Sequence, residues 1–237
     1  MKAMILAAGL GTRLGTLTEK MPKALVNVNR KPMLEHVIEY LKSYGVNEII
    51  VNVHHFGDQV IDFLQKKNNF DMRIEISDER DMLLDTGGGL MKASWFFDDG
   101  KPFLVHNVDV LSKTDLNKLE KYHTLNKELA TLVVKKRETA RYFLIDKSQV
   151  LCGWRNKKSG EEIIVRYSEK LSEVGFSGIQ LINPEVFELC KKTGKFSLTA
   201  LYLELAEEHK IVAYNDSALW FDMGRPENIV EAEQKFF

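Results

Sequence analysis

The sequence predicts an α/β fold, with a mostly parallel, twisted sheet, helices on both of its faces and an antiparallel addition in the second half. Short apolar runs alternate with amphipathic stretches through the first half of the chain, which is typical of β-α-β units on a parallel sheet. The second half is less regular and contains a polar, lysine-rich turn between apolar runs, which favours hairpins. Of the 237 residues, 44% are hydrophobic and 28% are charged, an ordinary balance for a globular chain.

The elements of the first half are predicted from their boundaries and their periodicity. Pro32 opens a helix at a position that proline tolerates, and Gly45 ends it. Asp58 is expected to cap a second helix, and a third is expected over residues 89–96. The predicted strands of this half cover residues 3–6, 48–53, 73–77 and 103–106.

The second half is predicted to contain strands around one hairpin, followed by helices. A polar hairpin is centred on residues 156–160, and Pro226 opens a final helix that runs to the C-terminus. No repeat, low-complexity segment or linker marks a boundary, so we expect one domain over residues 1–237. The predicted strands cover residues 129–134, 143–145, 176–182, 211–214 and 219–221, and two further helices cover residues 184–192 and 197–208.

Charge and composition exclude several classes of protein. The 33 basic and 34 acidic residues leave a formal charge of −1, without the basic surplus typical of nucleic-acid binding. No apolar stretch approaches the ~20 residues of a membrane span, and the first apolar run reaches Gly9 too soon for a signal peptide. Cys152 and Cys190 lack the spacing of a metal or disulfide framework. We expect a cytoplasmic monomer or homodimer that binds neither nucleic acid nor membrane.

The first predicted strand runs into a glycine-rich turn. Gly9 and Gly11 let the backbone approach a ligand closely and expose N–H groups to phosphate oxygens. A dinucleotide-binding fingerprint would need a small residue in place of Leu14 and an acid after the second strand, and a P-loop would need Gly-Lys-Ser/Thr; the sequence has neither. A plain strand-to-helix turn is the alternative, but Thr12 and Arg13 follow, and the guanidinium fork of arginine matches phosphate.

A second cation lies close along the chain. Lys23 follows Pro22, which stiffens its approach, and it is flanked by apolar residues. Alone, such a lysine is as often a snorkelling surface residue as a ligand. Together with Arg13 it predicts a two-cation clamp for a polyphosphate.

Two acids are predicted to follow strands directly. Asp109 comes after the fourth strand and Asp222 after the last one. Either acid alone would more often be a helix cap or part of a turn. However, α/β sheets bind ligands at the carboxyl ends of their strands, and Mg²⁺ is held by one or two carboxylates together with phosphate oxygens. In a chain with the glycine turn, the pair therefore favours a magnesium site.

One long segment carries a family resemblance. Residues 6–28 read LAAGLGTRLGTLTEKMPKALVNV, which resembles the opening signature of the sugar-1-phosphate nucleotidyltransferases: a GxGTR turn, a Leu-Thr pair and Pro-Lys before an apolar strand. Thr16 and Asn27 stand where members often carry prolines. The resemblance spans essentially the whole chain and is strongest to compact members, the N-acetylmuramate-1-phosphate uridylyltransferases and the mannose- or heptose-1-phosphate guanylyltransferases.

The resemblance implies a fold and an activity. It implies a Rossmann-like nucleotidyltransferase domain that transfers a nucleotidyl group from a nucleoside triphosphate to a sugar 1-phosphate, with Mg²⁺ as cofactor and pyrophosphate as the second product. We expect UTP as the donor, with GTP second. Alternatives are cytidylyl transfer to a small phospho-alcohol and a non-catalytic nucleotide-sugar sensor on the same fold.

The resemblance also implies roles for individual residues. Asp109 and Asp222 match the family's metal-binding aspartates, although Val108 stands in place of a common glycine and Arg225 is unusual. Residues 85–90 resemble its base and ribose loop and are expected to precede a helix. Arg13, Lys23 and Asp109 are implied to be catalytic, and Gly178 and Asp222 to bind the sugar phosphate. The implied nucleotide-binding residues are Leu6, Ala8, Gly9, Gly11, Thr12, Arg13, Lys23, Glu79, Thr86, Gly87, Gly88 and Asn107.

Several residues on the sugar side keep two interpretations. Glu169 and Lys170 could match the family's Glu-Lys contact to the sugar phosphate, but their spacing to Gly178 is short, and a solvated charge pair is favoured. His54 and His55 have no third metal ligand and are expected to be structural. The residues for which a sugar-side role and core packing are equally expected are Arg141, Tyr142, Phe143 and Trp154.

Overall fold

A computed structural model describes residues 1–126 and 128–237. The strands in these residues are β1 (Lys2–Leu6), β2 (Asn27–Val28), β3 (Lys31–Pro32), β4 (Glu48–Val53), β5 (Arg73–Asp78), β6 (Phe103–Asn107), β7 (Val110–Ser112), β8 (Ala130–Lys135), β9 (Arg141–Ile145), β10 (Leu151–Asn156), β11 (Glu161–Ile164), β12 (Ser172–Ile182), β13 (Ile211–Asn215) and β14 (Trp220–Asp222). The α-helices are α1 (Met33–Ser43), α2 (Gly57–Lys66), α3 (Asp85–Lys92), α4 (Leu116–Asn126), α5 (Val186–Leu189), α6 (Leu198–Leu205) and α7 (Pro226–Lys235).

The main sheet combines a parallel and an antiparallel part, as the sequence predicts. Its strand order is β11-β10-β9-β12-β6-β1-β4-β5. Strands β6, β1, β4 and β5 are parallel neighbours. Strand β12 is antiparallel to β6, β8 and β9, and β8 also pairs in parallel with β13. The long strand β12 therefore joins the parallel part of the described sheet to the antiparallel part.

Hydrophobic cores cover both faces of the sheet. Ala3 and Ile5 of β1 face a core that contains the apolar side of α1. Met4, between them, faces a second core formed with α3 and α6. Successive side chains of a strand point to opposite faces, so a strand that is buried on both sides is apolar throughout. This is why the first strand reads as a continuous apolar run.

Two helices begin differently from the prediction. Asp58 does not cap α2: the cap position is Phe56, in the left-handed conformation with φ 55°, and no side chain bonds the helix start. Asp58 instead forms an ion pair with Arg80. Helix α3 begins at Asp85, so Gly87 and its two following glycines lie inside the helix and not in a loop before it.

The remaining differences concern short or weakly patterned elements. Strand β7 and helix α4 are present although the sequence did not predict them. The burial of the short β7 comes from its pairing with β14, far away in the chain. The predicted helix over residues 184–192 shortens to the four residues of α5. In the described part of the chain, no helix combines the length and apolar character needed to cross a membrane.

Candidate active site

Three adjoining cavities open at the carboxyl ends of β1 and β6, and all three are lined by Asn107. The glycine-turn cavity, about 330 Å³, is lined by Leu6, Ala8, Gly9, Lys23, Asn52, Leu83, Asp85, Thr86, Asn107, Val108, Asp109 and Lys195. The aspartate cavity, about 270 Å³, includes Arg13, Asn107, Asp109, Arg137, Gly178 and Asp222 in its lining. The aromatic cavity, about 660 Å³, includes Phe143, Trp154, Phe176, Gln180 and Tyr202.

The glycine turn is shaped by the conformation of Gly11. Its φ of 69° lies in the left-handed region, which glycine enters without a steric penalty. A Cβ on Gly11 would lie 2.9 Å from Lys23 Cβ and 2.9 Å from Thr18 Cγ2. The next residues, Thr12 and Arg13, begin a 3₁₀ turn and are exposed. Gly11 therefore turns the chain and also leaves the space that Lys23 fills.

A buried amide fixes the backbone that enters the turn. Asn52 Oδ1 accepts hydrogen bonds from the backbone N–H groups of Ala7 and Ala8, at 2.7 and 3.3 Å. Its Nδ2 donates to Glu79 Oε1 at 2.7 Å, and Glu79 Oε2 accepts from the N–H of Leu84 at 3.0 Å. Glu79 is fully buried, so it supports the site from behind and is absent from the lining of the three cavities.

Lys23 forms an ion pair with Asp109 beneath the glycine turn. Only 10% of the lysine side chain and 16% of the aspartate side chain are exposed. The pair joins two segments that are 86 residues apart, and both residues line the glycine-turn cavity. The structure therefore removes the alternative that Lys23 is a snorkelling surface residue.

Pairing between β7 and β14 brings the two aspartates to neighbouring strand ends. Asp222 lies opposite Val110, the residue that follows Asp109. The N–H of Met223 donates to the backbone oxygen of Asp109 at 2.7 Å. Asp222 Oδ1 accepts from the N–H of Gly224 at 2.8 Å, which orients the carboxylate. Asp109 and Asp222 both line the aspartate cavity.

Arg13 reaches the same place from the glycine turn. A Cβ on Gly224 would lie 2.5 Å from Arg13 Nη2 and 2.7 Å from Asp222 Oδ1. Gly224 therefore lets the guanidinium lie close to the second aspartate. Arg225, the next residue, is exposed and is absent from the lining of these cavities.

The two carboxylates fit a divalent cation that also binds phosphate. No group of three or more His, Cys, Asp or Glu residues that could hold a metal ion occurs in the ranges 1–126 and 128–237. Mg²⁺ does not need such a group, because it keeps water ligands and takes phosphate oxygens in addition to one or two carboxylates. The donor chemistry of Asp109 and Asp222 is therefore suited to Mg²⁺ that arrives with a phosphate ligand.

Val108 does not disturb the backbone beside the metal-site candidate. It is absent from the described residues with positive φ, so this position does not require glycine. Its N–H donates to the carbonyl of Leu6 at 3.1 Å, and its side chain is buried in a core. The valine thus extends the contact between β1 and β6.

The glycines of α3 pack against protein. The N–H groups of Gly87 and Gly88 donate to the carbonyl of Phe196, at 2.9 and 3.1 Å. A Cβ on Gly87 would lie 2.5 Å from the Phe196 ring. Neither glycine appears in the lining of the three cavities, whereas Thr86 lines two of them. Close packing, and not a loop, therefore accounts for the small residues here.

The opposite wall is formed where β12 is interrupted. Its register shifts between Phe176 and Gln180, and Gly178 has φ 81°. A Cβ on Gly178 would lie 2.8 Å from Val110 Cγ2 and 3.0 Å from Asn107 Nδ2. Such a bulge bends a strand and redirects its backbone, and here it brings Gly178 into the aspartate cavity.

The structure decides between the interpretations of the remaining sugar-side residues. His54 bonds the carbonyl of Glu79 at 2.7 Å, which is a structural contact. Glu169 and Lys170 are exposed and absent from the lining of the cavities. Of the four residues with two interpretations, all line the aspartate cavity, and Phe143 also packs in a core; they are Arg141, Tyr142, Phe143 and Trp154.

Several lining residues were missed in the sequence, among them Asn52, Arg137 and Lys195. Asn52 carried a signal, since it is a polar residue near the end of an otherwise apolar strand, and only 2% of it is exposed. Arg137 lies in the connection between β8 and β9, and Lys195 in a loop before α6. Loop cations of this kind carry no local pattern.

Comparisons with known proteins agree with this geometry. The family model described as nucleotidyl transferase matches residues 2–236. The N-acetylmuramate alpha-1-phosphate uridylyltransferase of Caulobacter vibrioides is 31% identical over 98% of this chain and 96% of that protein. The probable mannose-1-phosphate guanylyltransferase 2 of rice (Oryza sativa subsp. japonica) is 30% identical over 97% of this chain, which spans only 63% of that relative.

Solved structures show the same fold. The crystal structure of HddC from Yersinia pseudotuberculosis, complexed with GMP-PN, has a TM-score of 0.81 and 25% identity, covering 100% of this chain and 99% of that one. A UDP-glucose pyrophosphorylase from Acinetobacter baumanii has a TM-score of 0.81 at 19% identity, covering 99% and 92% of the two chains. Together with the family match, these findings show that the chain belongs to the nucleotidyl transferase family.

Proposed function

We propose that this protein transfers a nucleotidyl group from a nucleoside triphosphate to a sugar 1-phosphate and releases pyrophosphate. The observation that carries the proposal is the Lys23–Asp109 pair, which lies beside Asp222 and Arg13 where the glycine-turn and aspartate cavities meet. The family match over residues 2–236 supports residues 1–237 acting as one catalytic domain.

The donor is proposed to bind on the side of the glycine turn. The backbone from Gly9 to Gly11 presents N–H groups, and Arg13 and Lys23 supply two cations for the triphosphate. Thr86 and Asn107 would contact the nucleoside. For Glu79 we propose an indirect role, in which it holds Asn52 and so the backbone before the turn.

Asp109 and Asp222 are the proposed ligands of Mg²⁺. When bound, the ion would offset negative charge between the two reacting phosphates and polarise the phosphoryl oxygens. Lys23 balances the charge of Asp109, and the N–H of Gly224 holds one oxygen of Asp222. These contacts keep both carboxylates oriented toward the shared cavity.

The acceptor phosphate is the proposed nucleophile. A phosphate monoester has a second pKa near ~6, so its oxygens are already ionised at neutral pH. No general base is needed, and catalysis rests on in-line positioning and on charge stabilisation by Arg13 and Lys23. Burial lowers the pKa of His106, three residues before Asp109, to about 4, so its imidazole is a weak base, and the buried ring is absent from the lining of the three cavities.

UTP is the donor that we propose first, with GTP second. The similarity to the Caulobacter uridylyltransferase extends over nearly the whole of both chains, whereas this chain spans 63% of the rice guanylyltransferase. The likeness to HddC, whose structure was solved with GMP-PN, supports the guanine nucleotide as the second candidate.

Cytidylyl transfer to a small phospho-alcohol is supported by one observation. The aromatic cavity contains Trp154 and Phe143 together with the carboxylate of Glu161, a combination that suits an organic cation. Arg137 and Arg141 line the adjoining aspartate cavity, and their positive charge disfavours a cationic acceptor. A sugar 1-phosphate is therefore the better candidate.

The test is pyrophosphate release from purified protein with Mg²⁺. Each of UTP, GTP, CTP, ATP and dTTP is paired with mannose 1-phosphate, glucose 1-phosphate, N-acetylmuramate 1-phosphate and phosphocholine, and Asp222→Asn serves as the inactive control. Release confined to one nucleotide and one sugar phosphate would identify both substrates. Nucleotide binding without release in any pair would contradict the proposal and favour the non-catalytic sensor.

A further inference from the structure

The proposed reaction needs positive charge around the acceptor phosphate, because two anionic phosphates must approach each other. Lys170, which the sequence offered for this role, is exposed and outside the lining of the cavities. Lys23 is paired with Asp109, and Arg13, which lies against Gly224, is the proposed ligand of the triphosphate. Arg141 also lines the aspartate cavity but is exposed. The acceptor side of the aspartate cavity therefore needs another cation.

Arg137 is a cation with unused hydrogen-bonding capacity at this place. It lines the aspartate cavity, and Nη2 donates to the carbonyl of Phe176 at 2.9 Å. Its Nε is buried without a hydrogen-bond partner. Across residues 1–126 and 128–237 no carboxylate forms an ion pair with it. Its guanidinium is therefore available to an anion.

Contacts with β12 and β14 hold the guanidinium in place. Its Cζ lies 4.7 Å from the centre of the Trp220 ring, and Trp220 Nε1 donates to the carbonyl of Ser177 at 2.7 Å. On the other side, a Cβ on Gly175 would lie 2.9 Å from both Cγ and Nε of Arg137. Gly175 has no positive φ, so the absence of a side chain there serves the close approach of the arginine.

A half-buried guanidinium without a carboxylate is unfavourable unless an anion binds it. Burial lowers the pKa of Arg137, while the charge of Asp222 acts to raise it, so the group lies within the field of the metal-site candidate. The planar fork of an arginine can donate two parallel hydrogen bonds to one phosphate. These features favour a phosphate between Arg137 and the two aspartates.

We propose that Arg137 binds the phosphate of the acceptor and that Gly175 positions the arginine. This inference rests on the proposed function, since it assigns the acceptor side of the same reaction. Arg137 is absent from the lining of the glycine-turn cavity and is bonded to Phe176 of β12, whereas Arg13 directly follows the glycine turn in the chain. We therefore expect the loss of Arg137 to affect the acceptor and spare the donor nucleotide.

The test compares ligands with and without a phosphate on matched variants. Full-length protein with Mg²⁺ and a UTP or GTP analogue whose α,β bridge cannot be cleaved is titrated calorimetrically with mannose 1-phosphate, N-acetylmuramate 1-phosphate and inorganic phosphate. The proteins are the wild type, Arg137→Met, Gly175→Ala and the control Arg73→Met. The control removes an exposed guanidinium of β5 that is paired with Glu48 of β4 and Glu75 of β5.

We expect Arg137→Met to weaken binding of the sugar phosphate by about 10- to 100-fold, since a bidentate charged contact is lost. Gly175→Ala should weaken it by about tenfold through displacement of the arginine, and Arg73→Met should leave it unchanged. Affinity for the nucleotide analogue should stay within about twofold in all four proteins, with folding checked by thermal unfolding.

Sugar-phosphate binding to Arg137→Met at wild-type affinity would overturn the proposal. If the wild type binds neither sugar phosphate, the titration with inorganic phosphate tests the anion site separately from the proposed function. If the wild type then binds inorganic phosphate and Arg137→Met does not, the anion site at Arg137 is supported and the proposed sugar-phosphate acceptor is contradicted. A wild type that binds no phosphate would overturn the site itself.

Discussion

The proposed donor and acceptor sides of the site are built by different means. On the donor side, one short turn supplies backbone N–H groups and Arg13, and Asn52 holds the residues before it. On the acceptor side, Gly178 lies in β12 and Arg137 in the connection between β8 and β9. The ring of Trp220, far away in the chain, contacts the Arg137 guanidinium. The donor side is a local motif, whereas the acceptor side exists only when the sheet is assembled.

The largest effect is expected where the two sides meet. Asp109→Asn or Asp222→Asn should lower kcat by about 10³-fold, because each removes a charged ligand of the proposed metal. Asparagine keeps the shape and, at position 222, the bond to the N–H of Gly224, so thermal unfolding of Asp222→Asn should change little. Asp109→Asn also leaves the buried Lys23 without its charged partner and should be less stable than the wild type. The measurement is pyrophosphate release with saturating substrates. Near-normal turnover in both variants would refute the metal assignment.

Lys23→Met should have the next largest effect and should act on the donor side. We expect kcat/KM for the nucleotide to fall by about 100-fold, because a cation near the triphosphate is lost and Asp109 loses its partner. Lys23→Arg, which keeps the charge, should recover part of the activity. Steady-state kinetics with each substrate varied in turn distinguish the sides. If only the KM of the acceptor changes, Lys23 acts on the acceptor side and the prediction is wrong.

Mild acid should destabilise both sides together, because β6 contacts each of them. His106 is fully buried on β6, beside the ring of Tyr40, and burial lowers its pKa to about 4 in the folded protein. Unfolded histidine titrates near ~6.5, so stability is full above that pH and falls as the pH drops toward 4, by about 2 kcal/mol between pH 7 and pH 5.

Denaturant unfolding at several pH values measures this effect. Burial also lowers the pKa of His123, so protonation of this residue in acid also lowers the free energy of unfolding. His106→Gln should reduce the dependence on pH. Two separate transitions in acid would show that the donor and acceptor sides unfold independently, contrary to the expectation from their shared strand.

The smallest effects are expected from two glycines, Gly11 and Gly175, each of which leaves space for a basic side chain. Gly11→Ala should raise the KM of the nucleotide by about tenfold and leave the acceptor unaffected, because the new Cβ meets Lys23 and φ is positive. Gly175→Ala should do the reverse through Arg137. Steady-state kinetics of both variants test this. Equal changes in both KM values for either variant would break the division into sides.

The same difference explains what the sequence could predict. The parallel strands and the turn from Gly9 to Arg13 were predictable, because apolar periodicity and glycine spacing are local signals. Asp109 and Asp222 were predicted as strand ends, and the structure places them together. Their roles as metal ligands stay a prediction.

The acceptor side could not be predicted because its signals depend on the assembled sheet. Nothing near Arg137 in the sequence shows that Trp220 and Gly175 will surround it. The start of α3 was misplaced for a related reason. Three consecutive glycines favour a loop in isolation, but a helix that packs directly on Phe196 requires small residues.

Strand β12 has a consequence for how substrate preference can change during evolution. Within the described sheet this strand joins the two parts, and its bulge at Gly178 faces both Val110 and Asn107. Inserting or deleting one residue in β12 would turn the side chains beyond that point to the opposite face and would separate the sites proposed for the two substrates. Substitutions that change the acceptor preference should therefore accumulate in the hairpin of β10 and β11. This hairpin can vary in length while the reacting phosphates stay aligned.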